Sequence, residues 1–504
     1  MHKGLVGAMV CALWVFTTGC GDECVDPFDC RNDKGVPPEG QEWLCNSDNK
    51  CVLEPIGTTP VPTEPDAGEE EDGGTEDAGT EDAGTSDAGT EDGGTGGDGG
   101  SADGGVGVGV KGSACTSSSD CAAGLRCEGT CQAMNLAVTV RNDDAGTIQA
   151  AVARYDTPGF TPLTVSGTDS RYPRWGPGGT RVSFAQGAVD TASTKTSGDL
   201  TVRDVPLVEG QSTVLVAQTA GNTESFRSME WEPSQDIAWV RQHGSGRSGI
   251  SVVPGAGGDV VEATINGAFP DWARDGTTFV YNITGQGLFK SSLSATPAPI
   301  ANSGASAEQA HYNRANDQLL FLANPDDATV RFEGDLGLTP LFRVYSLNVT
   351  GGGQPQLVAD LSSETATDGV IASYIASPNW APDGRWAAYV RAYYFKPTSG
   401  GALLCGAGTS PCQDRPGQIV FLRAINPADG TPTGEEVRLA EGGTLPSFSP
   451  DGRFVAFIKS GQLTVQQIDP TTGAAQGAAI VHPKNGLTVQ TSDADDHRPR
   501  WQPR

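Results

Sequence analysis

The chain has 504 residues, enough for several domains, and sets 62 acidic against 33 basic side chains for a formal net charge of -29. That balance argues against nonspecific attachment to nucleic acid or anionic lipid, because like charges repel. Fifteen of the acids lie between residues 55 and 110, where there is no Lys or Arg, so about half the net charge belongs to one segment.

The N-terminus reads as an export signal over residues 1–19. His2 and Lys3 form a short basic region, and the apolar run Leu5 to Phe16 is short for a membrane span. Thr17-Thr18-Gly19-Cys20 resembles the bacterial lipobox, with Thr17 in place of the usual Leu. The resemblance implies that Cys20 is lipidated; the plainer alternative is an ordinary signal peptide whose cysteine joins a disulfide. Gly21 and Asp22 lack the Asp directly after cysteine that commonly retains lipoproteins at an inner membrane, so an outer membrane or cell surface is the expected destination. Attachment is expected through lipid only.

Beyond Cys20 the cysteines fall into even groups: Cys24, Cys30, Cys45 and Cys51; Cys115, Cys121, Cys127 and Cys131; and Cys405 with Cys412. Even groups in an exported chain predict disulfides. The spacing Cys115-x5-Cys121-x5-Cys127-x3-Cys131 lacks the paired short knuckles of structural zinc, so no metal is expected. The two groups of four occupy residues 20–54 and 111–135. Both open on Cys-x5-Cys with Asp before the second cysteine, and they resemble small knots of secreted proteins from myxobacteria and their relatives. Each is too short to build a core without covalent staples.

Residues 55–110 lie between them: a Pro-rich opening, then TEDAG-type repeats from Thr75 to Gly94, then Gly-rich sequence. With no aromatics and many like charges, this segment is expected to be a disordered acidic linker spanning at least ~40 Å. The acids lack EF-hand loop spacing, so a tether is favoured over a calcium site.

From residue 136 to 504 short alternating strands such as LAVTVR (136–141) and RFVAFI (453–458) alternate with Gly, Pro, Asp and Asn turns. That texture predicts an all-β domain. One phrase recurs: an aromatic, a Pro-Asp-Gly-type turn, then an apolar strand. Its anchors are Trp175, Trp231, Trp272, Trp380, Phe448 and Trp501, with a weak copy at 311–322 in which Asn313 stands at the anchor position. Separations of 41 to 68 residues suit four-stranded blades with loop insertions. Pro presets φ and Gly tolerates positive φ, so Asp383-Gly384 and Asp451-Gly452 are read as the repeat turns. The anchors are read as inter-blade core rather than as a ligand-binding ring.

This phrase resembles the PD40, or WD40-like, repeat of the TolB family; Pro378-Asn379-Trp380-Ala381-Pro382-Asp383-Gly384 follows it with one departure. The resemblance implies a seven-bladed β-propeller, six-bladed if the weak copy is an insertion. It also implies that Trp501 opens a blade completed by residues 135–168.

No Gly-x-Ser-x-Gly elbow, Walker loop, dinucleotide fingerprint or zincin motif is present, and His243, His311, His482 and His497 are scattered. Asp493, Asp495 and Asp496 are read as a solvated loop. No catalytic residue and no cofactor is expected. The long intervals 313–380 and 380–448 mark one sector as the contact surface, where Tyr393, Tyr394 and Phe395 could reach a partner, although simple strand continuation is the stronger reading. The expected function is a non-catalytic envelope lipoprotein that binds a surface protein, a peptidoglycan-associated component or a glycan, and no nucleic acid. A lyase or glycosidase working in the propeller channel and a structural scaffold are the alternatives.

Overall fold

The computed structural model describes residues 41–45, 50–55 and 109–504, except 165–168, 188–197, 206–211, 218–222, 232–235, 243–247, 314, 335–336, 351, 407–411, 413–416 and 492–496. The chain divides into two units, 1–98 and 99–504. In the first, Gln41–Cys45 pairs antiparallel with Cys51–Pro55, setting Cys45 opposite Cys51. The expectations placed on Cys20, Cys24 and Cys30, and on the side chains of Cys45 and Cys51, lie outside the described residues.

The second unit is a seven-bladed β-propeller. Blades one to six begin on the inner strands Ser170–Trp175, Thr223–Trp231, Ala268–Trp272, Glu308–Asn313, Gly369–Trp380 and Gly443–Phe448. Each opens an antiparallel sheet of at least four strands. Blade seven is composite. Its inner strand consists of two pieces, Leu487–Val489 and Arg500–Trp501, which both pair with Asn135–Asn142. Ile148–Arg154 and Thr161–Pro162 complete it. Ring closure joins residues far apart in sequence and leaves no exposed blade edge at the seam.

Seven apolar clusters fill the seven wedges between blades, and each holds one anchor. Trp175 packs against Ala150 and Val152 of blade seven, Trp272 against Ile250 and Val252 of blade two, and Phe448 against Val390 and Val420 of blade five. In the fourth wedge the anchor is Tyr312, packed with Val280 and Leu288 of blade three. The expectation that Asn313 holds that place is therefore corrected by one residue. Register gives the physical reason: Trp175, Trp272, Tyr312, Trp380 and Phe448 pair with Val182, Phe279, Leu319, Ala387 and Val455, each seven positions on. The weak copy is a full blade, so the ring has seven blades and not six.

Among the described residues, neighbouring blades share no strand pairing beyond a single bridge of Phe332 with Ala402 in the insertions, and the anchors join the blades through a recurrent hydrogen bond. The indole N–H of Trp175 donates to the Arg500 carbonyl (3.0 Å), Trp272 to Glu230 (3.2 Å), Trp380 to His311 (3.1 Å) and Trp501 to Ser447 (3.0 Å). In each case the acceptor directly precedes the anchor of the preceding blade. Trp231 donates instead to the Ser183 hydroxyl (2.8 Å). The repeat turns form as read: Gly384 and Gly452 have φ of 73° and 67°, and the Asp383 and Asp451 carboxylates accept from the amides of Arg385 and Arg453.

The second cysteine group is not a free-standing knot. Disulfides join Cys115 to Cys127 and Cys121 to Cys131. Leu125 and Met134 share one core with Tyr155, Phe454 and Trp501. The segment is also latched to the turn face. The amide of Gly124 donates to Asp451 (2.7 Å), Arg126 to the carbonyls of Gly178 and Gly179, and Arg504 to those of Leu125 and Cys121.

The insertions of blades four and five build a second outgrowth. The hairpin Thr329–Val330/Thr339–Pro340 from blade four lies against the extended strands of blade five, with main-chain bonds joining Ala402 to Arg331 and Glu333. Tyr394 is buried there with Val330, Leu341 and Ala402, and Phe395 with Ile371 and the Cys405–Cys412 disulfide. Tyr393 is half-buried and also packs inward. Of the aromatics that could reach a partner, Tyr394 and Phe395 are thus buried within the fold, because the strand Trp386–Pro397 is covered on both faces and alternation spares neither side.

Candidate functional site

The inner strands share a kink that shapes the channel mouth. Five of them carry a non-glycine residue at positive φ three positions before the anchor: Tyr172, Phe269, Gln309, Ser377 and Leu445, at 51° to 57°. A register shift follows at each. Side chains with a Cβ rarely adopt this conformation, and such bulges re-aim the residues beyond them. Once the anchor turns into the wedge, the residue before it faces the channel.

Seven residues in that position therefore make a ring: Arg174, Glu230, Asp271, His311, Asn379, Ser447 and Arg500. All seven line a pocket of about 520 Å³, walled as well by Pro503 and Arg504 next to the cysteine-rich segment. Below it the buried Arg498 reaches across from blade seven to donate to the Pro378 carbonyl of blade five at 3.0 Å.

The ring's charges are largely spent on the ring itself. Glu230 Oε1 lies 3.1 Å from Arg500 Nη1 and 3.5 Å from Arg174 Nε, so one carboxylate is shared by two guanidinium groups. Arg174 also donates to the Met229 carbonyl at 3.0 Å. Asp271 Oδ2 accepts the Tyr312 amide at 2.8 Å and stands 3.7 Å from His311 Nδ1. Each carboxylate thus stitches one blade to the next.

Blade four supplies the exceptions. Its three consecutive residues His311, Tyr312 and Asn313 each carry a shielded polar atom with no partner among the described residues: Nε2, the hydroxyl and Nδ2 respectively. Asn313 Oδ1 is used, accepting the Ala315 amide at 2.8 Å, which leaves its Nδ2 as a donor. Burial first, and then the Asp275, Asp317 and Asp271 carboxylates, hold the Tyr312 hydroxyl well above the usual phenol range, so it stays protonated. Shielded polar groups without partners are rare in folded proteins. Here three occur in a row, in the blade whose sequence departs from the repeat.

His311 was not singled out by sequence, because a ring defined by position rather than residue type has no motif; the anchor spacing would have located it. His482 and His497 are buried in the fold, whereas His243 and the acids at 493, 495 and 496 lie outside the described residues. The metal-like cluster among the described residues, Cys115, Cys121 and Cys131, has all its sulfurs in disulfides. No helix among the described residues is long and apolar enough to cross a membrane.

No protein-family model matches the sequence. No curated protein matches it either. Several solved structures are similar to the chain at low identity. TolB from Acinetobacter baumannii is 13% identical with a TM-score of 0.36, over 76% of this chain and 69% of that one. The periplasmic gluconolactonase of Pseudomonas aeruginosa is 16% identical with a TM-score of 0.42, over 69% and 96%. The oligogalacturonate lyase of Vibrio parahaemolyticus is 13% identical with a TM-score of 0.32, over 71% and 97%. By name these proteins differ in activity, and similarity at this level assigns none of those activities to the chain.

Proposed function

We propose that the protein is an exported, non-catalytic binding propeller that takes a surface protein or another envelope component at its channel mouth. The run of unpartnered polar atoms in His311, Tyr312 and Asn313 carries this reading, since a ligand's hydrogen-bonding groups would complete what the protein leaves open. Recognition is favoured over reaction because Glu230 is held by two arginines and Asp271 by a backbone amide, which leaves neither carboxylate poised as a free acid or base. Three disulfides fit an oxidising compartment, and Cys20 is the proposed lipid attachment. The test is affinity capture from an envelope fraction, comparing the wild type with His311→Leu and Asn313→Leu. A partner recovered by the wild type and lost by both variants supports the reading; equal recovery by all three sinks it.

One observation favours a second reading. His311 beside Asp271, with the protonated Tyr312 following it in the chain and lining the same pocket, is a set from which acid–base chemistry on a polysaccharide could be built. New reducing ends or unsaturated products released from envelope polysaccharide by the wild type, and not by His311→Leu, would favour an enzyme.

A further inference from the structure

A second cleft lies away from the mouth, where the outer strand of blade four meets blade five. It encloses about 390 Å³ and is lined by Leu357, Leu361, Arg391, Tyr393, Arg423 and Glu436, among others. Two arginines face it in opposite states. Arg391 is buried and fully engaged: Nη1 donates to the Asp360 carbonyl (2.7 Å) and the Ser373 hydroxyl (3.2 Å), and Nη2 to Glu436 Oε1 (2.6 Å). The same Glu436 oxygen accepts the Tyr389 hydroxyl at 2.5 Å. The Asp360 carboxylate is turned to Arg343, 2.6 Å away.

Arg423 has no hydrogen bond or ion pair among the described residues, and its Nε is shielded from solvent without an acceptor. With Glu436 paired to Arg391 and the Asp360 carboxylate paired to Arg343, Arg423 is the guanidinium of the cleft lining that no carboxylate among the described residues pairs, on a chain whose net charge is -29. A half-buried guanidinium without a paired carboxylate, facing an open cleft, is a fork shaped for one. The apolar faces of Leu357 and Leu361 beside it suit a carbon body.

We propose that this cleft binds a small monoanionic carboxylate. Its two oxygens take the open N–H groups of Arg423, and its hydrocarbon part lies along Leu357, Leu361 and Tyr393. Glu436, which lines the same cleft, sets the charge limit: a dianion such as phosphate would gain the fork but be repelled by that carboxylate more than a monoanion is. The site is independent of the mouth, so either reading can fail without the other.

The experiment follows the arginine Nε–H resonances of the full, disulfide-intact chain while sodium acetate, sodium hexanoate, hexanamide and inorganic phosphate are added in turn. The Arg423 signal is assigned by its disappearance in Arg423→Lys, which keeps the charge and removes the fork. The carboxylates should move that signal saturably, hexanoate more tightly than acetate, while hexanamide leaves it unchanged. By calorimetry, Arg423→Gln should bind hexanoate roughly tenfold more weakly or worse. Arg423→Lys should fall between it and the wild type. No saturable shift with either carboxylate, phosphate binding as tightly as hexanoate, or unchanged affinity in Arg423→Lys would each overturn the proposal.

Discussion

Trp501 is the most exacting place to test how the ring is held shut. It is buried in the wedge between blades six and seven, with its ring centroid 5.9 Å from Tyr155 and 6.4 Å from Phe454. Its indole N–H donates to the Ser447 carbonyl at 3.0 Å, and it pairs with Leu136 across the seam. Truncating a buried Trp to Ala costs about 3–5 kcal/mol. Trp501→Phe keeps most of the ring contacts and loses the N–H bond, for about 1–2 kcal/mol. The assay is urea unfolding followed by far-ultraviolet circular dichroism, with Trp272→Ala, whose ring packs against blade two and away from the seam, as the comparison. Both alanine variants should lose similar packing energy. Only Trp501→Ala should also lower the m-value, because the loosened seam exposes surface before global unfolding. A loss below about 1 kcal/mol in Trp501→Ala, or an m-value as unchanged as that of Trp272→Ala, would refute the seam argument.

Tyr312→Phe removes a hydroxyl that has no partner among the described residues, so it should leave the protein as stable or raise stability by up to ~1 kcal/mol while weakening capture at the mouth; thermal melting and the capture assay read the two effects. Gly124→Ala should destabilise by about 2 kcal/mol or more, measured by urea unfolding. Gly124 holds φ at 77°, and a Cβ there would stand 2.3 Å from the Tyr155 hydroxyl oxygen. His482 is buried, and burial holds its pKa below the ordinary 6.5 despite the Tyr155 carbonyl and Asp156, which act the other way. The unfolded chain therefore takes up a proton that the folded chain refuses as pH falls below 6.5. Stability should decline on the acid side by up to ~1.4 kcal/mol per pH unit, and His482→Gln should flatten that component when melting is measured from pH 7.5 downward.

The blades were legible because a Trp followed by a Pro-Asp-Gly turn needs those residue types wherever it occurs. Trp380 with Asp383 and Gly384, and Phe448 with Asp451 and Gly452, stand where the phrase puts them. The slip at Asn313 arose where Pro and Gly are missing, which left only the seven-residue step to Leu319 to mark Tyr312 as the anchor. The mouth was not legible because a channel-facing ring imposes a position and leaves chemistry free, so Arg174, Glu230 and His311 share a place and no motif. Tyr394 and Phe395 looked available because an exposed strand and a doubly covered one read alike when both are aromatic-rich. The docking of the second cysteine group depends on single contacts, such as Gly124 with Asp451, that no local pattern announces.

Closing blade seven also sets a kinetic condition on the molecule. Leu136 and Trp501 are partners across nearly the whole propeller sequence, so closing this contact carries a large loop-closure cost and it should form late. Until then the strand Asn135–Asn142 presents one unpaired edge, and the piece that should cover it is Leu487–Val489 with Arg500–Trp501. A second molecule at the same stage offers an identical piece. At high concentration during refolding, exchange of residues 487–504 between chains would make dimers whose every blade is native, and dilution before closure should suppress them.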